Sequence, residues 1–529
     1  MESATQPETT TTAAENGAGA DEPQQAETFP VHRPIDGSVI REVEIDSPDS
    51  VADAVARVRA AQPAWEAIGF AGRKRWLESL RDWVLANQDR IDDLMQEETG
   101  KVRADAALEA FYVLDAINFW CDQGPTFLAD EVISPHNPLL KAKRAKIVYR
   151  PFGVVGMISP WNFPVILSVG DAIPALLAGN AVVIKPSEIT PLTVMEIVRA
   201  WREEVGAPDV LAVVNGTAET GGALIDEADY MQFTGSEKTG KVVMKRAAET
   251  LTPVSLELGG KDPMIVTRDA DLERAVNATA WGGLLNTGQI CISIERVYVE
   301  EPIYDEFVSK LTEKVKTLRQ GADGDTYTAE VGAMTSPAQV DIVSDHVEDA
   351  RSAGARILTG GKRKEGAGDW YEPTVIADAD HSMKVMREET FGPVIPVMKV
   401  RDVEQAIEMA NDTTYGLGSS VFAGDVDEGE RIARRIEAGH CNVNDVLVNY
   451  NILGLPMGGW KNSGIGVRHG AQGIRRFCHT EAVTTPRLPT QKSEPVWFPY
   501  NARKRGFVRR IYTFLNARGL RNRLGLRSR

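Results

Sequence analysis

The sequence predicts an α/β protein built as two successive α/β domains. From Asn180 to Leu258 the short apolar runs "AVVIK", "VLAVV", "YMQFT" and "SLEL" alternate with amphipathic stretches such as "PLTVMEIVRAWREEV" and "EKTGKVVMKRAAE". That alternation is the pattern of a parallel sheet covered by helices on both faces. A second alternating block runs from about Met264 to Cys441, with strand candidates "PMIV", "RVYVE", "ARILTG" and "GPVIPVMKV". The 529 residues are too many for one small core and suit two or three domains, with no fixed-period repeat among them.

Taken in order, residues 1–27 lack a basic start and an apolar core, so they read as a disordered tail and not as a signal peptide. "SPDSVADAVARVRAAQPAW" opens on Ser and Asp cap candidates and continues with helical apolar spacing. Further helices are expected over roughly Arg73 to Glu98 and Val102 to Phe119, and "AKIVYRPFGVVGMISP" reads as strands. The uncharged stretch Pro151 to Gly170 invites a membrane span, but Pro160, Trp161, Asn162 and Pro164 inside it predict strand, turn and helix instead.

A formal net charge of −16 argues against nucleic acid as the main partner. The four cysteines, Cys121, Cys291, Cys441 and Cys478, form no CxxC pair, which points to a reducing, cytoplasmic setting without a disulfide framework or a metal site.

Several short stretches carry groups suited to chemistry. "GSEKTG", Gly235 to Gly240, is a glycine turn between a strand and a helix, where free N–H groups and the helix dipole suit a phosphate, and Ser236 adds a donor. It is not the GxGxxG fingerprint. "VVIKPSEITP" places Lys185 and Glu188 at a strand's carboxyl end, as a nucleotide contact or as a solvated loop. "LELGGKDP" sets Glu257 in an apolar strand, facing water or buried as a base of raised pKa. "SPWNFP" sets Asn162 between Trp161 and Phe163, as a fixed amide donor or a turn residue. "NTGQICIS" puts Cys291 in a loop, either reactive or simply packed; the other three cysteines have packing contexts.

Together with "EETFGPV" and "PMGGWKNSGIG", these stretches resemble the NAD(P)+-dependent aldehyde dehydrogenase superfamily, over about Thr28 to Leu488. The resemblance implies that Cys291 attacks the aldehyde carbon, that the Asn162 amide and the Cys291 N–H hold the oxyanion, and that Glu257 activates the water that cleaves a thioester. It further implies that Lys185 and Glu188 hold the adenosine ribose, that Gly235 and Ser236 meet a phosphate, that Glu389 meets the nicotinamide ribose, and that Trp161 and Phe391 flank the cofactor. A carboxylate at Glu188 repels a 2′-phosphate, so NAD is expected ahead of NADP. The implied architecture is a Rossmann-like cofactor domain (28–128 and 150–258), a catalytic domain (259–445) and a small β element (129–149 and 478–490) that pairs subunits into a homodimer or homotetramer.

Two positions depart from the family. Where many members carry Lys and Glu, this chain has Asp171 and Arg468, which are expected to be either an ion pair of swapped polarity or two unrelated surface charges. "CISIERVYVE" and "RHGAQG" resemble a bacterial subgroup labelled succinate-semialdehyde dehydrogenase, which makes succinate semialdehyde the leading substrate. Yet Gly170 and Leu285 stand where better understood members carry carboxylate-binding arginines, leaving Arg296 and Arg468 as substitutes. The alternatives are apolar membrane-derived aldehydes and a coenzyme-A-acylating reaction.

The C-terminal extension, 495–529, differs from the rest. From Arg503 onward it holds ten Lys or Arg residues and no carboxylate side chain. Phe507, Ile511, Phe514 and Leu515 fall on one predicted helix face, so the extension is expected either to lie on an anionic membrane surface or to be a flexible or docked basic tail.

Overall fold

The computed structural model describes residues 27–324, 326–488, 492–494 and 496–524. The expected N-terminal tail therefore falls outside the described residues except at residue 27, as do residues 489–490, 495 and 525–529 of the later segments.

An antiparallel pair that the sequence reading did not anticipate, β1 (Thr28–His32) and β2 (Val39–Glu44), is followed by four helices. In the first, α1 (Pro48–Ala67), Ser47 caps the N-terminus by accepting from the Ser50 N–H, as its sequence start suggested. The single helix expected from Arg73 to Glu98 is two, α2 (Gly69–Ala86) and α3 (Gln88–Thr99), broken at Asn87. The next, α4 (Arg103–Phe127), runs eight residues past its expected end.

The chain divides into two units. The smaller, Ala129–Arg150 with Thr480–Arg529, holds β3 (Glu131–Ile133) and β4 (Lys143–Pro151), with β18 (Cys478–Pro486) beside β4. The larger unit, which closes at His479, contains the β1–β2 pair and two larger sheets. The first has β5 (Val154–Ile158), β6 (Ala181–Lys185), β7 (Leu211–Val213), β8 (Tyr230–Thr234) and β9 (Val254–Glu257), all parallel. A two-residue strand, β17 (Gly464–Ile465), pairs antiparallel with β9, giving the order β17-β9-β8-β5-β6-β7. The chain winds outward from β5 through β6 to β7, then returns to β8 on the other side of β5. The β5/β8 boundary is therefore a topological switch point, where ligands bind beyond the carboxyl ends of the strands.

The second sheet is built from β10 (Asp262–Val266), β11 (Ile294–Glu300), β12 (Arg356–Thr359), β13 (Thr374–Ala377), β14 (Val394–Val400), β15 (Ser420–Phe422) and β16 (Asn442–Val443). Its order is β12-β13-β14-β11-β10-β15-β16, and only β12 runs antiparallel. Fully buried Val, Ile and Met fill its central strands, as expected of a sheet covered on both faces. The stretch Pro151 to Gly170 is the strand β5, a turn and the start of α5 (Val169–Ala178), in keeping with its prolines. Among the described residues no helix is long and apolar enough to cross a membrane.

Candidate active site

Loops beyond the strands of both sheets bring the candidate site residues together. Between α9 (Leu272–Leu284) and β11, three successive residues take left-handed backbone angles: Asn286 (φ 51°), Thr287 (φ 56°) and Gly288 (φ 72°). Such a run is costly for non-glycine residues and persists only where its surroundings impose it. Here the Asn286 N–H donates to Asp105 (2.9 Å), the Asn286 amide to the Asn162 and Gln289 carbonyls (3.1 and 3.2 Å), and the Thr335 N–H to the Gln289 side chain (3.0 Å). Gly288 is needed for close packing: a Cβ there would sit 2.1 Å from the Gly392 carbonyl oxygen. Cys291 follows this fixed turn and stays partly accessible, whereas Cys121 and Cys478 are buried. Burial pushes its thiol up to about 12, with Arg468 pulling the other way.

Asn162 lies four residues beyond β5 and is buried. Its amide donates to the Gln289 carbonyl (2.9 Å), two residues before the cysteine. An amide has two N–H donors, so this bond fixes the group and leaves one donor uncommitted. The following backbone is anchored by Glu109, which accepts from the Val165 and Ile166 N–H groups (2.8 and 3.1 Å) and pairs with buried Lys101.

Glu257 ends β9, where β17 covers it on one side and Thr234 of β8 lies opposite it on the other. It is 3% exposed, and neither carboxylate oxygen has a hydrogen-bond partner. Burial raises its pKa to about 7, with Arg468 and Arg476 pulling it down and Asp171 pushing it up. A buried carboxylate that titrates near neutrality with both oxygens free is equipped to accept a proton from water. Of the two sequence readings of Glu257, the structure has the carboxylate buried with a raised pKa, not facing water.

Asp171 and Arg468, 297 residues apart in the chain, form a buried bidentate pair (3.0 and 2.7 Å). Arg468 also donates to the Thr234 hydroxyl (3.1 Å), and Arg476 bridges Asp171 and Ser255 (3.1 and 3.3 Å). The two guanidinium groups thus hold the neighbours of Glu257 across the sheet and along its own strand. With Glu257 as the base proposed below, charge changes in this cluster should move the acid limb of kcat. Arg468→Met, or Arg468→Gln if the methionine variant is unstable, is expected to shift that limb to higher pH. Asp171→Asn should shift it to lower pH, each by about one pH unit. A rate–pH profile with both limbs unmoved would show the cluster to be structural only.

The remaining predicted residues divide between two places. Glu389 accepts from the Gly260 N–H (2.8 Å) and is held above the ordinary carboxylate range by burial and by Glu295. The Phe391 and Trp161 rings meet edge to face with centroids 5.4 Å apart. With Asn162, Gly235, Ser236, Glu257 and Cys291, these three line one cleft of about 260 Å³ at the switch point. Ser236 is the N-cap of α8 (Glu237–Thr250), accepting from the Thr239 N–H (3.3 Å) and donating to its hydroxyl (3.0 Å). Lys185 and Glu188 do not line this cleft. They form an ion pair (3.6 Å) past the end of the adjacent strand, on a loop that Thr190 ties to the Trp161 carbonyl (3.0 Å). A helix N-terminus, free carboxylate oxygens and an aromatic pair at a switch point fit a dinucleotide extended along the sheet edge.

Sequence reasoning missed the groups that hold the Glu389–Phe391 segment. Lys261 and Glu295 form a fully enclosed pair (2.5 Å), and Glu295 accepts from the Thr390 and Phe391 N–H groups (both 2.8 Å). Arg296, offered as a carboxylate clamp, is instead fully buried and donates to the Lys261, Met409 and Ala410 carbonyls. Arg468 is committed to Asp171. Neither arginine lines the second space that opens on Cys291, an apolar cavity of about 340 Å³. Phe111, Phe163, Ile166, Trp281, Leu285 and Leu447 are among its walls, and its one charged lining residue is the exposed acid Asp115.

Comparison with known proteins bears on what such a site does. The sequence profile of the Aldehyde dehydrogenase family matches residues 21–483. The chain belongs to the aldehyde dehydrogenase family. This aldehyde dehydrogenase is 40% identical over 504 residues to 4,4'-diapolycopene aldehyde oxidase of Methylomonas sp, covering 94% of each chain. It is 40% identical over 462 residues to a Mycolicibacterium smegmatis protein with the provisional name succinate-semialdehyde dehydrogenase, NADP(+), covering 87% of this chain and 89% of that one. Among solved structures, the Anabaena variabilis protein PutA, provisionally an aldehyde dehydrogenase, superposes with a TM-score of 0.85 at 39% identity, covering 89% of this chain and all of that one. The enzyme is accordingly an NAD(P)+-dependent aldehyde dehydrogenase with the α/β fold of that family.

Proposed function

We propose that this aldehyde dehydrogenase oxidises aldehydes borne on an extended apolar chain to their carboxylates, with NAD+ preferred over NADP+. The observation that carries this reading is the apolar cavity ending on Cys291 without a lysine or arginine in its lining. Succinate semialdehyde would bring its distal carboxylate into that cavity with no cation to meet it and with Asp115 at its wall. An unpaired charge in an apolar space costs several kcal/mol or is excluded. An apolar chain gains about 0.8 kcal/mol for each CH₂ buried. The likeness to a 4,4'-diapolycopene aldehyde oxidase agrees with the apolar class, and the likeness to a succinate-semialdehyde dehydrogenase keeps that substrate as the second reading.

In this reading the Cys291 thiol gives its proton to solvent water and the thiolate adds to the aldehyde carbon. The free N–H of Asn162 and the Cys291 backbone N–H receive the developing oxyanion. Trp161, Glu389 and Phe391 line the cleft side of the cysteine and would hold the nicotinamide end of NAD(P)+, which would supply the hydride acceptor. Glu257 then takes a proton from water as that water attacks the thioester carbon, and the carboxylate leaves as Cys291 is restored. A coenzyme-A-acylating reaction has no need for such a base, so buried Glu257 favours hydrolysis. The Glu188 carboxylate, paired with Lys185, suits free ribose hydroxyls and disfavours a 2′-phosphate.

One assay tests the reading: reduced-cofactor formation with straight-chain aldehydes of increasing length beside succinate semialdehyde, with each dinucleotide, with and without coenzyme A. We expect kcat/KM to rise about threefold to fourfold per added CH₂ until the cavity is filled, to be highest with NAD+, and to be indifferent to coenzyme A. A higher kcat/KM for succinate semialdehyde than for any alkanal would overturn the apolar reading. The exposed strand β3, with Val132 83% exposed, and the short three-stranded sheet around it suit pairing with a second copy, as a homodimer or homotetramer.

A further inference from the structure

The helix Ala502–Asn516 is capped at Asn501, whose side chain accepts from the Lys504 N–H (2.9 Å), and none of its residues is buried. Its side chains fall into two neighbouring stripes, each spaced i, i+4, i+7, i+11 as one helix face requires. Lys504, Val508, Ile511 and Leu515 make the half-covered stripe. Arg503, Phe507, Arg510 and Phe514 make the second, which is exposed along its whole length. The single apolar face expected from the sequence, Phe507, Ile511, Phe514 and Leu515, is therefore divided. Its two aliphatic residues turn partly inward, and its two phenylalanines stand in solvent at 54% and 50% exposure, alternating with arginines.

Upstream of the helix, Trp497, Phe498 and Tyr500 are also exposed, at 56%, 76% and 73%. The described residues 496–524 contain no carboxylate side chain, and neither Arg503 nor Arg510 has an ion-pair partner among the described residues. Taking +10 for residues 503–529 from the total of −16 leaves −26 on the remainder of the chain, so basic charge is concentrated in this segment against an acidic background. Exposed aromatic rings alternating with guanidinium groups suit one environment well. At the headgroup level of an anionic bilayer, rings enter the acyl boundary while arginines reach lipid phosphates. A nucleic acid would offer the phosphates without the apolar layer for the phenylalanines.

We infer that the Arg503, Phe507, Arg510 and Phe514 stripe, together with Trp497 and Phe498, docks this enzyme on an anionic membrane surface. The benefit of docking rests on the apolar-aldehyde reading, since such substrates partition into membranes; the docking itself does not depend on it. It is tested by flotation, which needs no turnover. Full-length protein is mixed with vesicles of phosphatidylcholine alone or with phosphatidylglycerol added, at low and high salt, and with inorganic phosphate as a competitor.

The wild-type protein should float with the phosphatidylglycerol vesicles, far less with neutral ones, and less at high salt. Arg503→Gln with Arg510→Gln should weaken binding about 30-fold, from roughly fivefold per arginine near the surface. Phe507→Ala with Phe514→Ala should weaken it at least tenfold, and both double variants should oxidise a short soluble aldehyde at the wild-type rate. Four results would overturn the inference. These are no flotation with anionic vesicles, equal flotation of wild type and both double variants, full release by millimolar inorganic phosphate at constant ionic strength, or tighter binding to a nucleic-acid oligomer than to vesicles. If flotation succeeds while the alkanal series fails, docking stands and the substrate reading falls. The converse result separates them the other way.

Discussion

Cys291→Ala is expected to lose aldehyde oxidation by a factor on the order of 10⁴ or more, with the fold intact. The physical case is that nothing else in the site can form the bond. The cysteine sits where the cleft beside Glu257 and the apolar cavity meet, and it lines both. Among the described residues the other three cysteines line neither. Cys291→Ser should fail nearly as badly, because burial that lifts a thiol to about 12 lifts a hydroxyl, already far less acidic, still further. Steady-state reduced-cofactor formation measures the loss, and thermal unfolding checks that the strained turn Asn286–Gly288 has survived. Retention of more than about a tenth of the wild-type rate by either variant, on the 10⁴ scale just given, would remove Cys291 from the mechanism.

Glu257→Gln should have the next largest effect, and of a different kind. Carbon–sulfur bond formation and oxidation do not require the carboxylate after the thiolate has formed, whereas hydrolysis does. The variant should therefore release about one equivalent of reduced cofactor per subunit in a burst, then turn over about 10² to 10⁴ times more slowly than wild type. The stalled protein should carry the mass of an acyl group on Cys291. In the wild type the sign of the pH effect follows from a carboxyl raised to about 7: hydrolysis falls as pH drops through that value, because the protonated acid accepts no proton. The glutamine variant should show no such limb. Its stability should not fall, since glutamine replaces a buried carboxylate that has no hydrogen-bond donor and bears a desolvation cost when ionised. A wild-type steady state with no burst would show that Glu257 is not the hydrolytic base.

Much of this site was legible because its groups lie in short contiguous stretches. The turn Asn286–Gly288 and the cysteine after it, the carboxylate closing an apolar strand, and the glycine turn ahead of α8 each carry their own local signal. Local signals also separated α/β alternation from a membrane span at Pro151 to Gly170, since prolines and a strand-turn-helix rhythm need no long-range contact to be read. Helix boundaries were less legible. Asn87 breaks one expected helix into α2 and α3, and α4 continues to Phe127, Pro125 notwithstanding, because tertiary packing outweighs weak propensities at helix ends.

What was not legible depends on which distant residues meet. Asp171 and Arg468 were expected as a swapped pair, but that they share Arg476 and grip the neighbours of Glu257 required the sheet register that sets Thr234 and Ser255 around it. Arg296 looked available for a substrate carboxylate until three backbone carbonyls were found to hold it. The C-terminal helix had one apolar face by periodicity and two stripes in space. By itself the amino-acid order determined the kinds of secondary structure, their alternation, and the reactive groups, because propensity, periodicity and side-chain chemistry are properties of neighbours in the chain. Only the tertiary structure decided which charges are paired, which acid is desolvated, and that the space behind Cys291 is apolar, because burial and Coulomb contact are set by residues that folding brings together from far apart.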